Sequence, residues 1–193
     1  MSVESRPPRG RLFLIGGPSA VGKTTLSIAL AEAVDNLEFL SRYTTRRPRG
    51  APTDAVEYRP ISQALFDQYA AEERFIEYRN YDFGMSYGLD RETVDRYLSK
   101  GSDCVAVINI GTLDQVRRNA PDAVTIFLYV DLPVIEQRMR ERGDHTEEQI
   151  TERLANARLG LAEAEQYDYV VRNDGAIEDA LDELAKIVVS SRQ

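Results

Sequence analysis

Residues 17–24 read Gly17-Pro18-Ser19-Ala20-Val21-Gly22-Lys23-Thr24, which matches the pattern G-x-x-x-x-G-K-[ST]. A short apolar run at 12–15 precedes this stretch, and apolar residues at helical spacing follow it. The glycines allow backbone N–H groups to turn toward a β-phosphate, while Lys23 reaches the β- and γ-phosphate oxygens. The hydroxyl of Thr24 is a ligand for Mg²⁺ in such loops. The sequence therefore predicts a phosphate-binding loop (P-loop) between a buried strand and a helix.

The loop predicts a bound nucleoside triphosphate, and we expect ATP with Mg²⁺. A switch GTPase would carry an N-K-x-D guanine motif, and this sequence has none. A short P-loop chain with inserted arginine-rich segments is more typical of a metabolite kinase. The predicted donor-nucleotide contacts in the loop are Gly17, Pro18, Ser19, Ala20, Val21, Gly22, Lys23, Thr24 and Thr25, with Thr24 also the metal ligand.

Further apolar runs at 37–40, 104–110, 125–130 and 169–171 predict four more buried strands. Helical patterns separate these runs. Strands that alternate with helices favour a parallel sheet covered on both faces. We therefore predict an α/β fold of the P-loop NTPase class, with a five-stranded, mainly parallel sheet flanked by helices.

Local signals place several helix ends. Ser62, Asp90 and Asp131 are predicted N-caps, because their side chains can accept hydrogen bonds from the first turn. Thr146 begins a capping-box pattern for a long helix that should end near Glu165. Residues 42–60 are rich in arginine and proline and are predicted to be loop-like, with a short extended piece at 56–59.

Composition limits the class of partner. The chain has 193 residues and a net charge of −8, which argues against binding to nucleic acid or to a membrane surface. Arginines nevertheless cluster within 42–49, which favours a small anionic ligand. Cys104 is the only cysteine, so no intrachain disulfide is possible and a cytoplasmic setting is expected. No apolar run approaches the ~20 residues of a membrane helix, and the first residues lack the apolar segment of a secretory signal.

Further segments occur in the order found in guanylate kinases, and the chain resembles that family over residues 11–190. The segments are Thr44-Thr45-Arg46-Arg47-Pro48-Arg49, Tyr58, Phe75-Ile76-Glu77, Gly84-Met85-Ser86-Tyr87-Gly88, Arg142-Gly143, 147–154 and Val171-Arg172-Asn173-Asp174. The resemblance implies ATP-dependent phosphoryl transfer to a small phosphorylated acceptor, with (d)GMP converted to (d)GDP. It also implies one domain at 11–193, divided into a core (11–41, 100–140, 166–190), an acceptor-binding region (42–99) and a helical lid (141–160). The composition of residues 1–10, with two prolines and no apolar segment, predicts a flexible tail.

The resemblance also implies roles for individual residues. The acceptor phosphate would be held by Arg46, Arg49, Tyr58 and Tyr87, since arginine forks and phenols suit phosphate oxygens. Arg142 and Arg153 match the lid arginines that neutralise charge on the transferring group. The residues expected to carry catalysis are Lys23, Arg46, Arg142 and Arg153, and those expected near the ATP base are Arg138 and Asn173.

The positions that read guanine in the family are mostly replaced here. Glu77 is retained and could accept from guanine N1–H and the 2-amino group. Arg42 stands in place of a serine, and Leu89 follows Tyr87-Gly88 where a serine or threonine is usual. The position of the base-reading aspartate falls near Gly111, and Asn109 replaces the Walker B-like carboxylate of the same strand.

These replacements keep two other readings open. Arg42-Tyr43-Thr44-Thr45-Arg46 and Asn109 resemble the ribose 1,5-bisphosphate phosphokinases, in which Arg42 would bind an extra phosphate and Glu77 would repel it. A non-catalytic guanylate kinase-like binding module is the other alternative, although such modules usually lose residues equivalent to Lys23 or the lid arginines.

Overall fold

The computed structural model describes residues 9–47, 54–81, 84–142 and 146–192. In chain order its elements are β1 (Leu12–Gly16), α1 (Lys23–Ala33), β2 (Leu37–Phe39), β3 (Arg42–Thr44), α2 (Asp54–Glu57), β4 (Tyr58–Pro60), α3 (Gln63–Ala71), β5 (Phe75–Tyr81), β6 (Met85–Asp90), α4 (Arg91–Leu98), β7 (Asp103–Val107), α5 (Leu113–Asn119), β8 (Val124–Tyr129), α6 (Leu132–Arg142), α7 (Glu147–Leu161), a 3₁₀ turn (Ala164–Gln166), β9 (Tyr169–Arg172) and α8 (Ile177–Ser191).

The predicted five-stranded core sheet is confirmed. Its strand order is β2-β7-β1-β8-β9, and every neighbouring pair runs parallel. The central strand β1 is buried on both faces: Phe13 and Ile15 pack with residues of α1, α6, α7 and α8, whereas Leu12 and Leu14 pack with residues of α4 and α5. Because successive side chains of a strand point to opposite faces, this one apolar run supplies the centre of both hydrophobic layers. The strand predicted at 104–110 is shorter than expected and ends at Val107.

A second sheet lies within residues 42–99, the segment predicted to bind the acceptor. Its order is β4-β3-β6-β5, with β3 parallel to β4 and antiparallel to β6. Residues 42–60 were predicted to be loop-like, but β3, α2 and β4 lie within them. The short extended piece expected at 56–59 is confirmed only in part, because Tyr58 and Arg59 lie in β4 whereas Val56 lies in α2. Three-residue strands carry too little periodicity to be recognised, and Tyr43 pairs with the distant Gly88.

The predicted helix starts are largely confirmed. Ser62 Oγ accepts from the backbone N–H of Leu65 (3.2 Å), and Asp90 Oδ2 accepts from that of Thr93 (2.9 Å). Helix α7 begins directly after Thr146 but ends at Leu161, before the 3₁₀ turn, rather than near Glu165.

At the other end of the described chain, Gly10, assigned to the predicted tail, donates its N–H to the carbonyl of Leu98 (2.9 Å). Among the helices of the described ranges, none is long and apolar enough to cross a membrane.

Side-chain amides of α5 dock the second sheet onto the core. Strand β5 is an edge strand, so its outer backbone groups have no strand partner. Gln115 supplies both missing partners: its Oε1 accepts from the N–H of Tyr78, and its Nε2 donates to the Tyr78 carbonyl, each at 3.0 Å. Asn119 Nδ2 donates to the Ile76 carbonyl (2.9 Å). These amides fix the strand that carries Glu77 against the core sheet.

We predict that Gln115→Leu lowers the free energy of unfolding by about 2 kcal/mol, because it leaves a part-buried N–H and C=O of Tyr78 without partners. Urea denaturation followed by circular dichroism measures this change. Gln68→Leu is the matched control, since Gln68 bonds only to Glu72 on the exposed face of α3, and it should shift stability by less than about 0.5 kcal/mol. Equal effects of the two substitutions would contradict the docking role of Gln115.

Candidate active site

The predicted phosphate loop connects β1 to α1 in a tightly curled conformation. Gly17 and Gly22 have φ angles of 136° and 92°, in the region that favours glycine. A Cβ atom on Gly17 would lie 2.6 Å from the Leu128 carbonyl oxygen, and one on Gly22 would lie 2.6 Å from Asn173 Nδ2. Helix α1 starts without a side-chain cap, so its first N–H groups remain available to an anion.

Lys23 lies across this loop. Its Nζ donates to the carbonyls of Gly17 (2.8 Å) and Pro18 (2.6 Å). Burial, together with the positive charge of Arg42, lowers the pKa of Lys23 to about 7, although the carboxylate of Glu57 opposes the shift. An incoming anion would supply the negative charge that this environment lacks and favour the protonated ammonium.

A cleft of about 1290 Å³ brings together most of the predicted site residues. It runs from the phosphate loop across the second sheet to α6, α7 and the turn after β9. The predicted residues that line it are Gly17, Pro18, Ser19, Ala20, Gly22, Lys23, Thr24, Thr25, Arg42, Arg46, Tyr58, Tyr87, Arg138, Arg153 and Asn173. Val21 and Glu77 are fully buried behind its walls. Arg49 lies outside the described residues, as does the side chain of Arg142, the last residue of α6.

The side of the cleft that was predicted to bind the acceptor phosphate combines a cation with phenols. Arg46 is buried, and its guanidinium lies 4.6 Å from the ring centroid of Tyr58. The rings of Tyr58 and Tyr87 are 5.5 Å apart. Burial raises the pKa of Tyr58, so its hydroxyl stays protonated and can donate to an anion. This grouping is chemically suited to a phosphate.

Arg42 lies beside this grouping, on β3. Its guanidinium is 5.5 Å from the ring centroid of Tyr58 and 5.6 Å from that of Tyr87. Nη2 donates to Glu57 Oε1 and to the hydroxyl of Tyr58, both at 3.4 Å, and Nη1 donates to Asn109 Oδ1 at 3.3 Å. Burial alone would lower the pKa of Arg42, but Tyr58 and the two carboxylates Glu77 and Glu57 raise it overall, so Arg42 remains charged.

Glu57 was not predicted to belong to the site. It lines the cleft, is 9% exposed, and acts on both Lys23 and Arg42. No pattern in the sequence distinguishes it from other surface glutamates. Its only signal is its position directly before Tyr58, one of the residues that carry the family resemblance.

Glu77 is held on the far side of Asn109 from Arg42. Asn109 Nδ2 donates to Glu77 Oε2 at 3.0 Å, and the backbone N–H of Asn109 lies 3.5 Å from the same oxygen. Burial raises the pKa of Glu77, while Arg42 and the hydrogen bonds to Thr112 and Asn109 oppose the shift. Asn109 therefore links the guanidinium of Arg42 to the carboxyl group of Glu77, because its Oδ1 accepts from Arg42 and its Nδ2 donates to Glu77.

On the side of the cleft predicted to bind ATP, two side chains donate hydrogen bonds to backbone carbonyls. Asn173 Nδ2 donates to the Val21 carbonyl (2.8 Å), and Arg138 Nη2 donates to the Asn173 carbonyl (2.7 Å). Arg153 on α7, which was predicted to be a lid arginine, donates from Nη1 to Ser19 Oγ (3.2 Å) and so contacts the phosphate loop.

A parallel sheet with a lysine-bearing phosphate loop after its central strand defines the P-loop NTPase class. The wall of Arg46, Tyr58 and Tyr87 that lines the same cleft is suited to a further phosphate group. The sequence model of the guanylate kinase family matches residues 9–191, and the chain belongs to this family.

The sequence similarity to individual guanylate kinases extends over nearly the full length of this chain. The chain is 39% identical over 186 residues to a guanylate kinase of Synechococcus sp. (strain JA-3-3Ab), covering 95% of this chain and 85% of the relative. It is 36% identical over 186 residues to a guanylate kinase of Thermus thermophilus, covering 96% and 83% of the two chains.

Among solved structures, a guanylate kinase from Anaplasma phagocytophilum shares the fold with a TM-score of 0.77 at 22% identity, covering 97% of this chain and 88% of that one. A shikimate kinase from Bacteroides thetaiotaomicron shares it more distantly, with a TM-score of 0.51 at 19% identity over 93% and 98% of the two chains.

The lowered pKa of Lys23 predicts a pH dependence of stability. Between pH 7 and 10.5 the unfolded chain retains a lysine proton that the folded, ligand-free chain has released. Because the unfolded state then binds more protons, the free energy of unfolding rises with pH in this window, and below pH 7 the contribution of Lys23 is flat. We expect wild type to gain stability relative to Lys23→Met between pH 7 and about pH 9, measured by urea denaturation at each pH. Parallel pH profiles for the two proteins would contradict the shift.

Proposed function

We propose that this chain transfers the γ-phosphoryl group of ATP to the phosphate of GMP or dGMP, giving ADP and GDP or dGDP. The observation that carries this proposal is that Lys23 of the phosphate loop and the anion-binding wall of Arg46, Tyr58 and Tyr87 face one continuous cleft. The membership of the whole chain in the guanylate kinase family supports the choice of substrates.

The site positions the phosphates of ATP and GMP and offsets their negative charge, and the reaction needs no general base from the protein. Lys23 exchanges its loop carbonyls for the β- and γ-phosphate oxygens of ATP, while the first N–H groups of α1 face the same anion. An oxygen of the GMP phosphate attacks the γ-phosphorus, and the bond from that phosphorus to the β–γ bridging oxygen breaks as ADP leaves. The acceptor phosphate is already mostly dianionic at neutral pH, since its second pKa is about 6, so no general base is needed. Arg46 and Arg153 offset the charge of the crowded phosphates.

The residues of the loop fit a Mg²⁺ ion. Mg²⁺ is usually held by one or two protein oxygens together with substrate phosphates and water, and Thr24 lines the cleft next to Lys23. Within the described residues there is no cluster of three or more His, Cys, Asp or Glu side chains that could form a cage made of protein ligands alone. Mg²⁺ bound with ATP would neutralise charge on the β- and γ-phosphates.

Transfer to ribose 1,5-bisphosphate is not favoured. Arg42, the residue that would bind the extra phosphate, is 4% exposed and already faces Glu57 and Glu77. A second phosphate placed beside these two carboxylates would be repelled. The non-catalytic alternative is also disfavoured, because Lys23 and Arg153 are both present and lie at the phosphate loop.

The proposal predicts turnover in an ADP-release assay with ATP and Mg²⁺ in which GMP, dGMP, AMP, UMP and ribose 1,5-bisphosphate are compared. GMP and dGMP should be the preferred acceptors, and Lys23→Ala should abolish turnover because it removes the cation that reaches the transferring group. Turnover with the sugar bisphosphate alone, or with no acceptor, would refute the proposal.

We further predict that Arg46→Ala raises the KM for GMP roughly 10-fold or more, because it removes a charged donor from the acceptor phosphate. The dissociation constant of a non-hydrolysable ATP analogue, measured by calorimetry, should change far less. Arg47→Ala is the matched control: Arg47 is the next residue along the chain, is exposed, and does not line the cleft. An equal loss of GMP and ATP-analogue binding in Arg46→Ala would contradict the assignment of the acceptor side.

A further inference from the structure

We propose that Arg42 determines the base specificity of the acceptor site by donating hydrogen bonds to O6 of guanine and to N7, which lies next to O6 on the same edge of the base. This inference rests on the proposed function, since it concerns how that site selects its substrate. It assigns the guanidinium to the base rather than to a second phosphate.

The first argument is the position of Arg42 between two ends of the acceptor site. Its Nη2 lies 3.4 Å from the hydroxyl of Tyr58, which belongs to the anion-binding wall. Its Nη1 lies 3.3 Å from Asn109, whose amide nitrogen is 3.0 Å from the Glu77 carboxylate. Asn109 lines the cleft as well, so a ligand whose phosphate is bound at Tyr58 and that extends toward Asn109 must pass the guanidinium of Arg42.

The second argument is that Arg42 has donors to offer. A guanidinium has five N–H donors, and the bonds seen here are long, at 3.3 to 3.4 Å, against an ordinary range of about 2.7–3.2 Å. Its Nε is buried and has no hydrogen-bond partner within the described residues. Arg42 also lines the cleft, so a ligand can replace these weak contacts with shorter ones.

The third argument is chemical complementarity. Guanine presents two acceptors, O6 and N7, next to each other, and arginine contacts this pair in a bidentate way. Adenine has a donor amino group in place of O6, so the same guanidinium disfavours it. The guanidinium of Arg42 thus matches O6 and N7 of guanine and mismatches the 6-amino group of adenine.

A fourth argument concerns charge. Two carboxylates, Glu57 and Glu77, already supply negative charge to Arg42. A neutral base can contact the guanidinium without disturbing this balance, whereas a second phosphate would add negative charge next to both carboxylates. The surroundings of Arg42 therefore favour a neutral, acceptor-rich ligand group.

The test compares kcat/KM for GMP and for 6-thio-GMP, in which a weakly accepting sulfur replaces O6 and the other base positions are kept. Wild type should prefer GMP by roughly 10-fold or more, the discrimination expected of a good arginine–guanine contact. In Arg42→Met the ratio of kcat/KM for GMP to that for 6-thio-GMP should fall to near one. The ratio of kcat/KM for GMP to that for IMP should stay at the wild-type value, because GMP and IMP both keep O6. The ratio for one preparation does not depend on the fraction of folded enzyme, so a loss of stability cannot imitate the result.

Two further variants complete the test. Arg42→Lys keeps a positive charge beside Glu57 and Glu77 but loses the planar fork, so it should remain folded and show a reduced ratio. Arg46→Lys, on the phosphate side, should lower kcat/KM for both nucleotides by the same factor and leave the ratio unchanged. If both Arg42 variants keep the wild-type ratio of kcat/KM for GMP to that for 6-thio-GMP, the inference about Arg42 is wrong, whereas the proposed function still stands. Wild-type protein that does not phosphorylate GMP would refute the proposed function and the inference with it.

Discussion

The hydrogen bond from Asn173 Nδ2 to the Val21 carbonyl holds the phosphate loop, and the rest of the site is arranged around that loop. The loop curls through positive φ angles and comes so close to Leu128 and Asn173 that Gly17 and Gly22 leave no room for a Cβ atom. Such a conformation persists only when its surroundings fix it. Here the end of β8 and the residue after β9 do so, because parallel strands bring their carboxyl ends to one edge of the sheet.

The second sheet depends on the core for its position. Gln115 and Asn119 use their amides in place of a neighbouring strand, and Asn109 connects the end of the core strand β7 with Arg42 and Glu77 of the second sheet. Buried charges of this kind are expensive to desolvate and persist when they are paired and hydrogen-bonded. An asparagine is suited to this link, because its oxygen can accept from the cation while its nitrogen donates to the carboxylate. An aspartate at this position would have placed a second carboxylate against Glu77.

The donor half of the site followed from the sequence more closely than the acceptor half. The phosphate loop, the strand before it and the helix after it are continuous in sequence, so motif and periodicity identify them together. The caps at Ser62 and Asp90 were found for the same reason, since a cap bonds to a residue three positions away. The acceptor half is built from β3 to β6, and the short strands β3 and β4 have no pattern of their own. Glu57 was missed because its partner Arg42 lies 15 residues away and no motif links the two.

The sequence by itself determined the fold class, the phosphate loop, the family and part of the cleft lining, because these depend on local pattern and on the order of motifs. Only the tertiary structure determines how Arg42 and Asn109, two positions at which the family has other residues, contact each other and Glu77. Arg42 and Asn109 are 67 residues apart, and Asn109 and Glu77 are 32 apart, yet they form one buried network. From sequence alone, Arg42 could serve a second phosphate as readily as a base. The burial of Arg42 between carboxylates and phenols, which depends on the packing of two sheets, is what distinguishes these possibilities.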